Sequence, residues 1–217
     1  MRISISGIDG SGKSSYARLL QDDFKLQGIN IKYKWSRKHF FSLPFFAFCR
    51  ILRITKISKN EFGYTVSEYP FYNYPQLKIL FPIIKFIDFI IYNILLESFI
   101  NFFSKKSIIY DRYSIDTYVD IIDAVKTTIF PSFFENFFLK IFLTDVIVII
   151  LDVDEKVSFQ RKKDIPNIKY IIRRRNIYVN LAKKYSWKLI NTNIPRKDVY
   201  KEIKKIIKKN QCDYFVK

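Results

Sequence analysis

Glycine is nearly missing from this chain. Five glycines serve 217 residues, and three of them, Gly7, Gly10 and Gly12, fall within six positions. Cysteine is scarcer still. Cys49 and Cys212 are too few for a disulfide framework, which excludes a small cystine-held fold and points to free thiols in a reducing compartment. The single histidine, His39, has no second imidazole with which to share a metal and reads as an ordinary residue. Long hydrophobic runs are absent as well. Residues 77–103 are the most apolar, yet Lys78, Lys85, Asp88 and Glu97 interrupt them. The longest uncharged piece, from Phe89 to Leu96, falls far short of the ~20 residues of a bilayer span. A buried helix is expected there. The apolar stretch at Met1–Ile5 is too short for a signal peptide, and a cytoplasmic protein is expected. Neither repeats nor low-complexity linkers appear, so residues 1–217 read as one domain.

What is present is apolar and basic. Hydrophobic residues make up 49% of the chain, with 22 Phe and 15 Tyr, enough to fill a substantial core. The net charge of +18 suits nucleic acid, an anionic membrane surface or an acidic small substrate. It equally suits the lysine-loading bias of an AT-rich genome, and a nucleic-acid partner is not favoured over that background. Near the end, Val199, Ile203, Ile206 and Ile207 share one helical face among lysines. Packing against a sheet is favoured over lying on a membrane.

Periodicity gives the order of elements. Arg2–Ser6 and Ile29–Trp35 alternate as strands, separated by a helix over Lys13–Gln27 that Gly28 ends. Leu43–Ile54 reads as helix, Lys59–Pro75 as loop, and Leu77–Phe103 as one long helix or two, with Pro82 a candidate break. Ser107–Tyr110 is a short buried strand ending in Asp111 and Arg112. Ile115–Val125 and Pro131–Leu143 read as helices. The six aliphatic residues Val146–Leu151 form a strand buried on both faces, as parallel sheets require. Glu155–Tyr185 is helical with a break near Pro166, Trp187–Ile190 is the last strand, and Arg196–Lys209 the last helix. Strands alternating with helices specify an α/β fold.

The clustered glycines belong to Gly7-Ile8-Asp9-Gly10-Ser11-Gly12-Lys13-Ser14, which fits G-x-x-x-x-G-K-[ST] between a strand and a helix. Such a loop turns backbone N–H groups toward phosphate oxygens, an approach that side chains would block. The helix behind it adds free donors and a favourable dipole. Gly7, Asp9, Gly10, Ser11, Gly12, Lys13, Ser14 and Ser15 are therefore the candidate ATP-binding residues. Lys13 is placed to reach the β and γ phosphates, and Ser14 to offer its hydroxyl to Mg²⁺. The fold class follows: a three-layer P-loop NTPase sandwich, with a five-stranded parallel sheet and helices on both faces.

"SISGIDGSGKSS" also resembles the loop of thymidylate kinases, usually Gly-x-Asp-Gly-x-Gly-Lys-Ser/Thr. "SIIYDRYSID" is similar to that family's Asp-Arg-Tyr after the third strand, and "LDVDEKVSFQRKKDIPNIKYIIRRRNIYVNLAKKY" to its stretch from the fourth strand through the lid. "LINTNIPRKDV" is more faintly similar to the loop that lies against adenine. In element order the resemblance covers nearly the whole chain, and it looks like that of a divergent, archaeal-looking member. It implies that Asp9 lies near the acceptor and that Asp111 holds Mg²⁺, through water. It implies that Arg112 grips a phosphate and that Arg161 closes from a small helical lid at approximately 156–175. Arg173, Arg174 and Arg175 are further lid candidates. Three adjacent helical side chains cannot all point inward, so at least one is expected in solvent. Asp152 and Asp154 suit either a metal or a helix cap. The family also implies a homodimer through the long apolar helix.

The departures are specific. The family's Arg-Glu-Pro-Gly-Gly after the second strand is replaced by "KWSRKHFFSLP", where Arg37 alone can grip an acceptor phosphate. The residues following Asp111-Arg112-Tyr113 do not fit the family's base-reading pattern. The expected activity is ATP-dependent phosphorylation of a nucleoside monophosphate, dTMP first, with catalytic roles for Lys13, Arg112, Asp9 and Arg161. The rival expectations are a kinase of nucleosides or other small molecules, and a non-catalytic nucleotide-binding module on nucleic acid.

Overall fold

The computed structural model describes residues 1–37, 40–95, 107–126 and 132–215, with 94–95, 132 and 211–215 described by backbone alone. His39, the side chain of Cys212, residues 96–103 of the long apolar helix, and Pro131 lie outside that description. In chain order the elements are β1 (Arg2–Gly7), α1 (Lys13–Leu26), β2 (Ile31–Trp35), α2 (Ser42–Ile51), β3 (Lys56–Lys59), β4 (Thr65–Glu68) and α3 (Pro75–Ile90). There follow β5 (Ser107–Asp111), α4 (Ser114–Val125), α5 (Ser132–Asn136), β6 (Val146–Asp152), α6 (Glu155–Arg161), α7 (Ile168–Lys184), β7 (Lys188–Asn191) and α8 (Arg196–Phe215). Helices α3 and α5 each pass into a π-helical turn, at Ile91–Leu95 and Phe137–Ile141.

The main sheet has the order β2-β5-β1-β6-β7, and every pairing is parallel. Period-two alternation gives the central strands β1, β5 and β6 two buried faces, while the edge strands β2 and β7 stay partly exposed. On one face Ile3, Ile5, Ile109, Ile147 and Ile149 pack under α1 and α8, against Leu20, Val199 and Ile203. On the other, Ile108, Tyr110, Val148 and Ile150 meet α3, α4 and α7. The aromatic excess is spent on this second layer. Tyr110 stacks on Tyr113 at 4.0 Å between centroids, and Phe45, Phe71 and Phe81 cluster beside them. The last helix thus packs on the sheet, as its apolar face requires. Among the described residues no helix is long and apolar enough to cross a membrane.

Two expectations are corrected. Residues 59–75 are not all loop, because β3 and β4 pair as an antiparallel hairpin, from Lys56 opposite Glu68 to Lys59 opposite Thr65. Its first strand is exposed throughout, so it carries no burial alternation by which to recognise it. Pro82 does not break α3, which runs from Pro75 to Ile90 through it. The helix gives up one backbone hydrogen bond there, while Phe81, Pro82, Lys85 and Phe89 are all buried against neighbours.

Candidate active site

The glycine cluster is dictated by crowding. At Gly7 (φ +145°) a Cβ would collide with the carbonyl oxygen of Leu151 in the neighbouring strand. At Gly10 (φ +78°) it would lie 2.8 Å from the carbonyl oxygen of Ser158 on α6. Gly12 caps α1 with no side-chain hydrogen bond, leaving the first-turn amides facing the loop for an anion. Lys13 is 4% exposed, and its ammonium donates to the carbonyls of Gly7 (2.8 Å) and Ile8 (2.6 Å). Burial and the nearby Arg112 bring its pKa down to about 8, against the pull of Asp9. Ser11 is buried without a partner for its hydroxyl, whereas Ser14 and Ser15 are exposed.

Strands β1 and β5 pair with Ile5 beside Asp111, so the loop after β1 and the Asp111–Arg112 step leave the same edge of the sheet. Arg112 sits at φ +65°, a left-handed backbone that non-glycine residues rarely adopt, and its guanidinium pairs with Asp9. Burial alone would raise the Asp9 pKa, but Arg112, Lys13, Arg174 and Arg37 together hold it well below the usual carboxylate range. From α6, Ser158 donates to the carbonyl of Asp9 (2.5 Å) and Arg161 to that of Gly10 (3.4 Å). A cavity of about 670 Å³ opens among Asp9–Tyr16, Trp35, Arg37, Arg112, Arg161 and the loop bearing Thr192, Ile194 and Arg196.

Asp111 is fully buried behind this cavity. Its Oδ2 accepts from the hydroxyl of Tyr33 (2.7 Å), and its Oδ1 has no partner. An orphaned carboxylate oxygen here, with the exposed Ser14 hydroxyl, is the hard-oxygen donor set that suits Mg²⁺ held partly through water.

Arg37 also borders a second cavity, of about 580 Å³. Phe46, Tyr69, Tyr72, Phe81 and Tyr170 give it aromatic walls, and Lys85, Asp120, Asp123 and Arg174 bring charge into it. Asp120 receives Arg37 (3.0 Å) and Arg174 (2.6 Å). Burial opposes its ionisation, but those guanidiniums and Lys85 hold its pKa far down. The Lys85 ammonium is pushed down to about 8 by burial, partly countered by Asp120.

Of the residues singled out from sequence, Asp9, Gly10, Ser11, Gly12, Lys13, Ser14, Ser15, Arg37, Arg112 and Arg161 border the first cavity. Gly7 and Asp111 lie outside its lining. The three consecutive arginines of α7 are all paired with carboxylates. Arg173 binds Asp123 with 40% of its side chain still in solvent, Arg174 binds Asp120, and Arg175 chelates Asp152 (2.6 and 2.7 Å) and reaches Glu155 (2.8 Å). Asp154 caps α6 through the amides of Lys156 (2.9 Å) and Val157 (3.4 Å). Sequence reading missed Asp116, Asp120 and Asp123. Their spacing puts all three on one face of α4, opposite the arginine run. Asp116 accepts from Ser6 Oγ (2.6 Å) and from the Tyr178 hydroxyl (2.7 Å), tying β1, α4 and α7 together.

No family model matches the chain, and no curated protein matches it in sequence. Solved structures match it in fold. A deoxyadenosine kinase from M. mycoides with the products dCMP and a flexible dCDP bound superposes with a TM-score of 0.55 at 16% identity, covering 96% of this chain and 100% of that one. The same enzyme with dCTP bound gives 0.53 at 15%, with the same coverage. A thymidylate kinase from Ehrlichia chaffeensis gives 0.54 at 19%, covering 95% and 98%. The five-stranded parallel sheet with helices on both faces is the fold that this chain shares with these structures.

Proposed function

We propose that this chain is an ATP-dependent kinase whose acceptor is a nucleoside monophosphate, with dTMP the first candidate. The observation that carries the reading is the position of Arg37, bordering both the phosphate-loop cavity and the aromatic one. A nucleotide with its base among the aromatic walls would bring its phosphate to that arginine, facing the donor. Planar rings suit a base, and an arginine fork suits a phosphate.

The donor triphosphate occupies the loop amides and the α1 N-terminus. Lys13 leaves the carbonyls of Gly7 and Ile8 for the β and γ oxygens. Arg112 and Arg37 turn from Asp9 and Asp120 to the acceptor phosphate. Segment 156–175 acts as the lid, carrying Arg161 toward the transferring group. An acceptor phosphate oxygen then attacks the γ-phosphorus in line, the bond to the β-bridging oxygen breaks, and ADP leaves. Bound Mg²⁺, held by Ser14 and Asp111, would neutralise phosphate charge. In the free protein, against the opposing effect of burial, Arg112 and Arg37 hold Asp9 and Asp120 well below the usual carboxylate range, and both carboxylates give up those partners when the phosphates arrive.

The likeness to deoxyadenosine kinase, as strong as that to thymidylate kinase, supports a second reading in which a nucleoside is the acceptor. ADP release measured with each nucleoside and monophosphate in turn, with Lys13→Ala as control, separates the two. Turnover with dTMP and none with thymidine is expected. Turnover with nucleosides alone overturns the monophosphate reading. No turnover at all, together with salt-sensitive binding to DNA or RNA, overturns the kinase.

A further inference from the structure

The hairpin β3–β4 does more than wall the aromatic cavity. Its second strand, Thr65–Glu68, lines that cavity. Its turn holds the segment that joins α6 to α7. The Asn60 side-chain amide donates to the carbonyls of Lys163 (2.6 Å) and Ile165 (2.8 Å). Its Oδ1 accepts from the amides of Phe62 and Tyr64, both at 3.0 Å. Every bond this side chain can readily make is therefore made, two closing the hairpin turn and two gripping the segment opposite. Phe62 adds a ring contact to Phe159 of α6 at 5.0 Å, and Glu68 accepts from the Asn167 amide at 3.1 Å.

The gripped stretch is short and lies between the two cavities' arginines. Arg161 is on its donor side, while Arg173 and Arg174 line the aromatic side. The antiparallel pairing from Lys56 opposite Glu68 to Lys59 opposite Thr65 joins the Thr65–Glu68 wall directly to the turn that carries Asn60. We propose that Asn60 is a positioning residue that fastens the acceptor-side hairpin to the lid, making occupation of the aromatic cavity and placement of Arg161 over the donor one event. This rests on the kinase reading for its catalytic consequence and on the hydrogen bonds for its mechanics. It gives the enzyme a means to withhold the lid from ATP until an acceptor is seated.

The two halves of the Asn60 amide can be tested apart. Asn60→Asp keeps the oxygen that closes the turn but sets a carboxylate against the carbonyls of Lys163 and Ile165. A role in the turn alone leaves this variant like wild type; a fastening role does not. Arg161, Lys162 and Lys163 are exposed and supply trypsin sites within the gripped stretch. In the full chain without ligand, Asn60→Asp is expected to be nicked there about tenfold faster than wild type, with its melting transition retained. With the best acceptor from the screen, its acceptor KM should rise about tenfold or more, while its affinity for ATP stays near wild type. Nicking at the wild-type rate, or an unchanged acceptor KM, overturns the proposal. If no acceptor turns over, the kinase reading fails separately, and nicking still decides whether the hairpin fastens the lid. Should Asn60→Asp not fold, Glu68→Ala cuts the neighbouring link to Asn167 with the turn intact and must meet the same criteria.

Discussion

Arg112 and Asp9, 103 residues apart in the chain, form an ion pair under the phosphate loop, each side chain only 14% exposed. On the proposed kinase reading the pair keeps a guanidinium poised where substrate charge arrives. Removing the carboxylate takes from that buried guanidinium its direct partner and leaves only the more distant charge of Asp116, at a cost of about 3 kcal/mol in the free protein. Asp9→Asn is therefore expected to lower the melting temperature in the absence of ligand. ATP should raise it by more than it does in wild type, because phosphate takes over the vacated partner's place. Equal ligand shifts in the two proteins would contradict this.

Arg112→Ala removes the clamp itself. Turnover is expected to fall about a hundredfold or more with every acceptor, as when a preorganised transition-state donor is deleted. Steady-state ADP release measures it. A near-wild-type rate would refute the role given to the Asp111–Arg112 step.

Lys13 makes binding pH-dependent. In the free protein burial and Arg112 bring its pKa down to about 8, and on the proposed kinase reading a triphosphate at the loop restores the proton. ATP binding should take up protons above about pH 8, and affinity should fall by up to about tenfold per pH unit there. Calorimetry in two buffers of different ionisation enthalpy reads the uptake, which Lys13→Arg should abolish. Stability runs the other way. Lys13 and Lys85 both titrate at about 8 when folded and at 10.5 when unfolded, so the unfolded chain binds more protons in between. These two groups should make the free protein more stable as pH rises from about 8 toward 10, and Lys85→Met should flatten that rise in thermal melts.

Arg37→Ala distinguishes acceptors. If this arginine holds a phosphate, the variant raises KM for a monophosphate at least about tenfold while leaving ATP binding near wild type. A comparable loss for ATP would place Arg37 on the donor instead.

Arg174 is 4% exposed and shared between Asp120 and Asp123. Arg174→Met should destabilise by about 1–3 kcal/mol by taking one partner from each carboxylate, Asp120 keeping Arg37 and Asp123 keeping Arg173, and Asp120→Asn in the same chain should recover part of it. Urea denaturation of the three proteins tests this.

Reading the residues in order was enough to find the five parallel strands and the phosphate loop, because both rest on local patterns. Val146–Leu151 can be only a strand buried on two faces, and glycines packed into one turn signal a backbone that must come close to something. The aromatic cavity was not visible in that way. Its charged floor joins Arg37 after β2, Lys85 on α3, Asp120 on α4 and Arg174 on α7, and no short-range spacing relates them. The β3–β4 hairpin was missed because each strand has only four residues and the first is wholly exposed. The arginine run was recognised, but its pairing depended on carboxylates spread over two other helices and a strand end.

The coupling of Ile5 to Asp111 through adjacent strands has a consequence for how this chain tolerates change. The phosphate loop and Asp111 are held in register by main-chain hydrogen bonds that no replacement other than proline removes. Interior residues can be exchanged for others of similar bulk at modest cost with that register kept. Losing one residue from Ser107–Tyr110 would instead turn the strand over, sending Asp111 to the opposite layer. In this arrangement an inserted or deleted residue in either of two short strands moves the whole set at once, whereas a substitution beside them leaves the register in place.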